Sequence, residues 1–243
     1  NLLATTFNNI VTITNAIIVI IVVIVYRRMK KAHVQLERRT ALITGGASGI
    51  GLAAAKALAD NGVNIVVWDK NKEAMEQTRK EVSAHIRNGN FFIQQVVDVT
   101  DTSNIKEAYK QLETKFEECG MNRVSILLNN AGIVYDDPIN SLSVQEVDNT
   151  FSVNVISQFS LISTFLPDLM NQRVANIVNM SSLIALVPSS HLSSYSASKA
   201  AVRAMSDCLR LDFKANNNDH IRVTTICPQF VSTGMFSGSY SKE

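Results

Sequence analysis

Cysteine is scarce in this 243-residue chain. Cys119, Cys208 and Cys227 stand far apart, and an odd, widely spaced set suits neither a disulfide framework nor a zinc site. That points to a reducing compartment and to no metal site. Charge of either sign is also in short supply: charged residues make up 18% of the chain and nearly cancel, leaving +2 at neutral pH. Such a balance gives no argument for nucleic acid as a partner. No internal repeat is present, and no low-complexity stretch beyond the first 26 residues, which carry no charge at all. What is plentiful is apolar side chain, 46% of the total, enough to bury a full core in one α/β domain with an appendage.

The appendage is the N-terminus. Residues 10–26 are mostly Ile and Val, and the basic cluster Arg27, Arg28, Lys30 and Lys31 follows at once. As a helix these residues would span roughly 26 Å, marginally enough for a bilayer core. Positive charge on that side keeps the remainder of the chain cytoplasmic, whereas a cleaved signal peptide would carry its charges before the apolar run. A buried strand is the alternative, but the run is too long for one. The expected organisation is a membrane anchor with its basic flank at 1–31, spanning or embedded as a hairpin, a polar linker at 32–39, and the α/β domain at 40–243.

From residue 40 onward apolar runs alternate with amphipathic stretches. Strands are predicted at 40–44, 64–68, 91–97, 124–128, 175–180 and 222–227, and helices near 50–61, 72–87, 103–118, 144–171 and 194–216. Repeated strand-then-helix predicts a doubly wound parallel sheet covered on both faces. Val202, Met205, Leu209 and Phe213 recur at helical spacing on the last helix. Such a stripe either pairs with a second copy in a homodimer or packs on the sheet.

Several motifs carry chemistry. The strand ending at Thr44 runs into Gly45, Ser48, Gly49, Ile50 and Gly51. Glycine there permits a tight turn and close approach to a pyrophosphate, and the following helix N-terminus attracts the phosphate charge. Alone, that spacing leaves open a glycine-rich turn with no ligand. Asp69, eighteen residues after Gly51, stands near the offset at which a carboxylate accepts from an adenosine ribose and would repel a 2′-phosphate. NAD is therefore favoured over NADP, although Lys70 next door partly offsets the repulsion. Asn129, Asn130, Ala131 and Gly132 end another strand, suiting close cofactor approach at a sheet crevice, though such a run is equally a turn. Tyr195 and Lys199 lie four apart on a predicted helix, where the cation can favour the phenolate. The pair gains meaning from Ser181 and Ser182 at the end of the fifth strand.

With these residues in view the chain resembles a short-chain dehydrogenase/reductase over about residues 38–236. The glycine turn, Asp69, VDV at 97–99, NNAG, Asn154 in FSVNV, Ser182, YSASK and PQFVST at 228–233 occur in the family's order. The resemblance implies Tyr195 as general acid/base and Lys199 as its activator and holder of the nicotinamide ribose. Ser182 would steady the substrate oxygen and Asn154 would anchor a relay water. By the same resemblance Asp98 and Val99 flank the adenine, and Pro228, Val231 and Thr233 belong to the loop receiving the carboxamide. A tyrosine with a pKa near 10 needs about three units of depression to work near neutrality. His33, His85, His191 and His220 match no family role.

The finer likeness is to the membrane-anchored branch of retinol dehydrogenases and 17β-hydroxysteroid dehydrogenases, carried by the apolar N-terminus, WDKN at 68–71 and TGMF at 233–236. It implies a lipophilic alcohol or carbonyl substrate met at the cytoplasmic face of the endoplasmic reticulum or a lipid droplet. The rivals are an NADPH-dependent reductase of other lipid or xenobiotic carbonyls, and an inactive cofactor-binding scaffold. Two departures stand out. Gln229 replaces the glycine usual after Pro228, and the chain ends where family members continue into a substrate lid and a last strand.

Overall fold

Strand formation follows from residues that are buried on both faces. Thr40–Thr44 (β1) and Val124–Asn129 (β4) are buried at every position, and Asn64–Asp69 (β2) at all but the last, which explains their unbroken apolar runs. The computed structural model describes residues 36–87 and 89–229. The anchor expected at 1–31, the first half of the linker, and Val231 and Thr233 lie outside the described residues. Among those described, no helix is long and apolar enough to cross a membrane.

The six strands, completed by Phe92–Val96 (β3), Ala175–Met180 (β5) and Ile221–Ile226 (β6), form one parallel sheet in the order β3-β2-β1-β4-β5-β6. The order reverses between β1 and β4, which places a crevice beyond their carboxyl ends. Helices Gly49–Asp60 (α1) and Lys72–Ser83 (α2) cover one face, where Ala55, Ala59, Met75 and Val82 meet Ala41, Ile43 and Ile65. Thr102–Glu118 (α3), Ser157–Met170 (α5) and Ser193–Ala215 (α6) cover the other. There Trp68 packs on Phe165 with ring centroids 5.4 Å apart, and Tyr109 meets Phe165 edge-on at 5.0 Å. Alternation along β1 sends Ala41 and Ile43 to one face and Leu42 to the other.

Beneath the sheet, Arg39 clamps three neighbouring strands. Its guanidinium donates to Ser125 Oγ at 3.1 Å, Ser125 O at 2.7 Å, Asn176 Oδ1 at 2.9 Å and Val174 O at 3.0 Å.

Two expectations are refined. The helix predicted at 144–171 is three pieces: Val144–Phe151 (α4), a π turn at Ser152–Ile156, and α5. The Ser157 N–H reaches back five residues to Ser152 O, and this widened turn is what brings Asn154 inward. Secondly, Val202, Met205 and Phe213 are buried in the core and Leu209 packs against it. Of the two alternatives for the stripe on α6, packing on the sheet is the one seen.

Candidate functional site

The carboxyl ends of the strands open onto a cleft of about 910 Å³. In sheet order it is lined by Asp98 and Val99 after β3, Asp69 at the end of β2, and Gly45, Ser48, Gly49 and Ile50 after β1. The lining continues through Asn130, Ala131 and Gly132 after β4, Ser182 after β5 and Pro228 after β6, with Tyr195 and Lys199 reaching in from α6. Of the described residues expected in the site, only Gly51 and Asn154 do not line the cleft. Both support it from behind.

The glycine turn is held from several sides. Gly45 adopts φ +61°, and its N–H donates to Trp68 O at 2.8 Å. Asn130 Nδ2 donates to the Thr44 and Gly45 carbonyls, each at 3.0 Å, while Thr44 Oγ1 accepts from the N–H groups of Asn130 and Ala131. Gly51 packs so tightly that an added Cβ would strike Gly45 O and lie 2.6 Å from Asn130 Nδ2. Ser48 precedes α1 in an extended conformation without capping it through its side chain, leaving the first turn of the helix open toward the cleft.

Asp69 does more than the sequence foretold. Its Oδ2 accepts from the Ala47 N–H at 3.0 Å, and its Oδ1 from the Asn71 N–H at 2.9 Å, so the carboxylate pins the glycine turn to β2. Each oxygen keeps a second lone pair for a ribose hydroxyl. Lys70, exposed, lines the same end of the cleft. Asp98 Oδ1 accepts from Thr100 N and Thr100 Oγ1, which shapes the turn carrying Val99.

At the other end, Tyr195 and Lys199 are 5% and 3% exposed. Lys199 Nζ donates to Met180 O at 2.9 Å and lies 5.5 Å from the centroid of the Tyr195 ring. Burial lowers the Lys199 pKa to about 8. Burial likewise raises that of Tyr195, opposed by a hydrogen bond with Ser182. Ser182 Oγ also accepts from Ile184 N, steadying the short 3₁₀ turn Leu183–Ala185.

Asn154 is fully buried. Its Oδ1 accepts from Ile133 N at 2.8 Å, and its Nδ2 donates to Ile133 O and Ser198 Oγ, both at 3.0 Å. Both amide hydrogens are therefore committed to protein partners. Ser198 in turn donates to Tyr195 O at 2.7 Å, and Ser181 Oγ donates to Lys199 O at 2.8 Å. Neither serine role was anticipated, although both stand beside motif residues. Gly132 separates the two key groups: a Cβ there would meet Asn154 Oδ1 at 3.2 Å and Lys199 Nζ at 3.4 Å.

The described histidines stay outside: His85 pairs with Asp60, His191 reaches Asp136 at 4.0 Å and His220 contacts Met170 O. No cluster of metal-ligating side chains is present among the described residues, and the three cysteines are free.

The chain that builds this cleft is similar to known proteins. The family model described as short chain dehydrogenase matches residues 39–243. Short-chain dehydrogenase/reductase family 16C member 6 of Bos taurus is 32% identical over 217 residues, covering 89% of this chain and 66% of its own length. Epidermal retinol dehydrogenase 2 of Mus musculus is 28% identical over 239 residues, 97% of this chain and 74% of that protein. Among solved structures, a short chain dehydrogenase/reductase from Burkholderia phymatum in complex with NAD superposes with a TM-score of 0.75 at 26% identity, covering 86% of this chain and 72% of that one. The chain thus spans just under two thirds of the bovine relative. By the match of the family model across its whole α/β domain, this chain belongs to the short-chain dehydrogenase family.

Proposed function

We propose that the protein is an NAD(P)-dependent oxidoreductase that interconverts a lipophilic alcohol, retinol-like or hydroxysteroid-like, and its carbonyl at a membrane surface. The observation that carries the reading is the buried Tyr195–Lys199 pair at the end of a cleft that runs from Asp69 past the open first turn of α1.

The residues present fit a nicotinamide dinucleotide. Gly45, Ser48, Gly49 and Ile50 would meet the diphosphate, Asp69 the adenosine ribose, and Asp98 with Val99 the adenine edge. Lys199 would hold the second ribose, and Pro228 with Val231 and Thr233 the carboxamide. When bound, that group supplies the hydride-accepting ring. The chain's own residues handle the proton. Ser182 Oγ orients the substrate oxygen by a hydrogen bond, and Tyr195 Oη takes the hydroxyl proton in oxidation or returns it in reduction. Moving Lys199 Nζ from Met180 O toward the phenol side favours the phenolate by charge. Asn154 and Ser198 keep the Tyr195 turn of α6 in place beneath that transfer.

Asp69 supports NAD as the preferred cofactor. A second reading, an NADPH-dependent carbonyl reductase, is favoured by one observation: Lys70 lines the cleft beside Asp69. The lipophilic substrate class and the location at the cytoplasmic face of the endoplasmic reticulum or a lipid droplet rest on residues 10–31 and on the retinol dehydrogenase among the relatives. The deciding experiment is a turnover screen of the full-length protein across retinoids and steroids with both cofactors. Turnover of at least one with NAD is expected. Cofactor binding without turnover of any alcohol or carbonyl would instead identify a scaffold.

A further inference from the structure

The buried polar groups around the Tyr–Lys pair include one that the chemistry above leaves unused. Gln158, on the first turn of α5, is 1% exposed. Its Nε2 donates to the main-chain carbonyl of Asn154 at 2.9 Å. Its Oε1 is buried with no hydrogen-bond partner. The opposite amide orientation would set two acceptor oxygens against each other, so the donor must face Asn154.

That arrangement is costly. A buried amide oxygen without a partner lowers stability, and a leucine or methionine of similar volume would avoid the penalty. The glutamine's one polar return is its hydrogen bond to the carbonyl at the centre of the π turn. Widened turns of this kind loosen the regular ladder of main-chain hydrogen bonds, and a side-chain donor four residues on can hold the turn in register. The residue so held is Asn154. Its side chain fixes Ile133 through both polar atoms and reaches Ser198, which donates to Tyr195 O. Its Oδ1 and Lys199 Nζ flank the same point above Gly132.

We infer that Gln158 is a positioning residue for the reaction: its amide locks the π turn that presents Asn154, and through Asn154 it sets the surroundings of Tyr195 and Lys199. The inference rests on the oxidoreductase reading, since Gln158 acts only through residues given roles there. No contact of Gln158 with substrate or cofactor is implied.

The test compares full-length Gln158→Met, which keeps the volume and loses the donor, with Gln158→Glu, whose carboxyl can donate to Asn154 O only when protonated. Four quantities are measured: kcat with the alcohol found in the turnover screen, the NAD dissociation constant, the melting temperature, and the ionisation midpoint of Tyr195. That midpoint is read by ultraviolet difference against a Tyr195→Phe background, with and without NAD. For Gln158→Met we expect kcat to fall about tenfold and the Tyr195 midpoint to move by about one pH unit, with NAD binding nearly unchanged. Gln158→Glu should regain kcat, relative to wild type, as the pH is lowered. An unchanged kcat and an unchanged midpoint, whatever happens to the melting temperature, would reduce Gln158 to a packing residue and overturn the inference. Should Gln158→Met fail to fold, Gln158→Glu alone decides: no pH-dependent recovery and an unmoved midpoint sink it. If wild-type protein turns over no alcohol, the oxidoreductase reading fails instead, while the substrate-free midpoint still reports on Gln158.

Discussion

Lys199 holds its ammonium over the face of the Tyr195 ring, 5.5 Å from the centroid. Its hydrogen bond goes to Met180 O. A charge almost wholly withdrawn from water and facing a main-chain carbonyl is an arrangement selected for something other than stability.

The first prediction concerns that cost. The folded pKa of Lys199 is about 8 against its ordinary 10.5, so between those values the unfolded chain binds more protons and stability rises with pH. Below about pH 8 the full penalty is present. Lys199→Met should therefore stabilise the protein by ~1–3 kcal/mol at neutral pH, with the advantage shrinking from about pH 8 to about 10.5. Denaturant unfolding across that window checks it. A variant less stable than wild type at pH 7 would show that the Met180 hydrogen bond outweighs desolvation.

The second concerns the phenol. Tyr195→Phe removes only the transferable proton and should lower turnover by about 10²–10⁴-fold with NAD binding nearly intact. Lys199→Ala should weaken both. Retention of most activity by Tyr195→Phe would move the proton transfer to another group.

The third is cofactor choice. Asp69 should make NAD(H) bind more tightly than NADP(H), and Asp69→Ser should shift the ratio toward NADP(H) by tenfold or more, ~1.4 kcal/mol. Because Asp69 also accepts from Ala47 and Asn71, the variant should lose some affinity for both. Tighter NADPH binding by wild type would mean that Lys70 dominates.

How much of this was legible in the sequence depends on the kind of interaction. The buried strands announced themselves as mainly apolar runs, so β1 begins and ends where expected and β2 and β4 each run one residue further, while β5, only partly buried, also keeps its expected bounds. The glycine turn, Asp69, Ser182, Tyr195 and Lys199 were legible because turn geometry and i, i+4 spacing are local. The π turn was not: one widened turn barely disturbs a helical pattern, and nothing in FSVNVISQF marks Gln158 as the residue that secures it. The α6 stripe was visible, but periodicity gives a face without saying what covers it. The Arg39 clamp joins residues up to 137 apart, beyond the reach of spacing arguments.

The fourth prediction tests the turn itself. Gly51→Ala drives a methyl into Gly45 O and Asn130 Nδ2, which should cost about 1–3 kcal/mol and largely abolish cofactor binding. Differential scanning calorimetry with NAD titration reads both effects. Normal affinity would show that the turn yields without loss.

The fifth concerns location. Deleting residues 1–31 should release a soluble protein, and a glycosylation acceptor inserted after residue 36 should stay unmodified in microsomes. Modification at that site would put the cleft in the lumen.

The reversal of strand order between β1 and β4 also bears on how the chain folds. The glycine turn forms within the first strand–helix unit and is pinned by Trp68 O and Asp69, yet the rest of what fixes it, Asn130 Nδ2 and the N–H groups bonded to Thr44, arrives some 85 residues later. Pairings this distant in sequence carry a large loop-closure cost and come late. The phosphate-facing turn should therefore stay only partly locked until β4 docks. Pulsed amide exchange during refolding would then protect β1 and β2 before the N–H groups of Asn130 and Ala131, leaving a nascent chain unable to grip a dinucleotide until its central strand is in place.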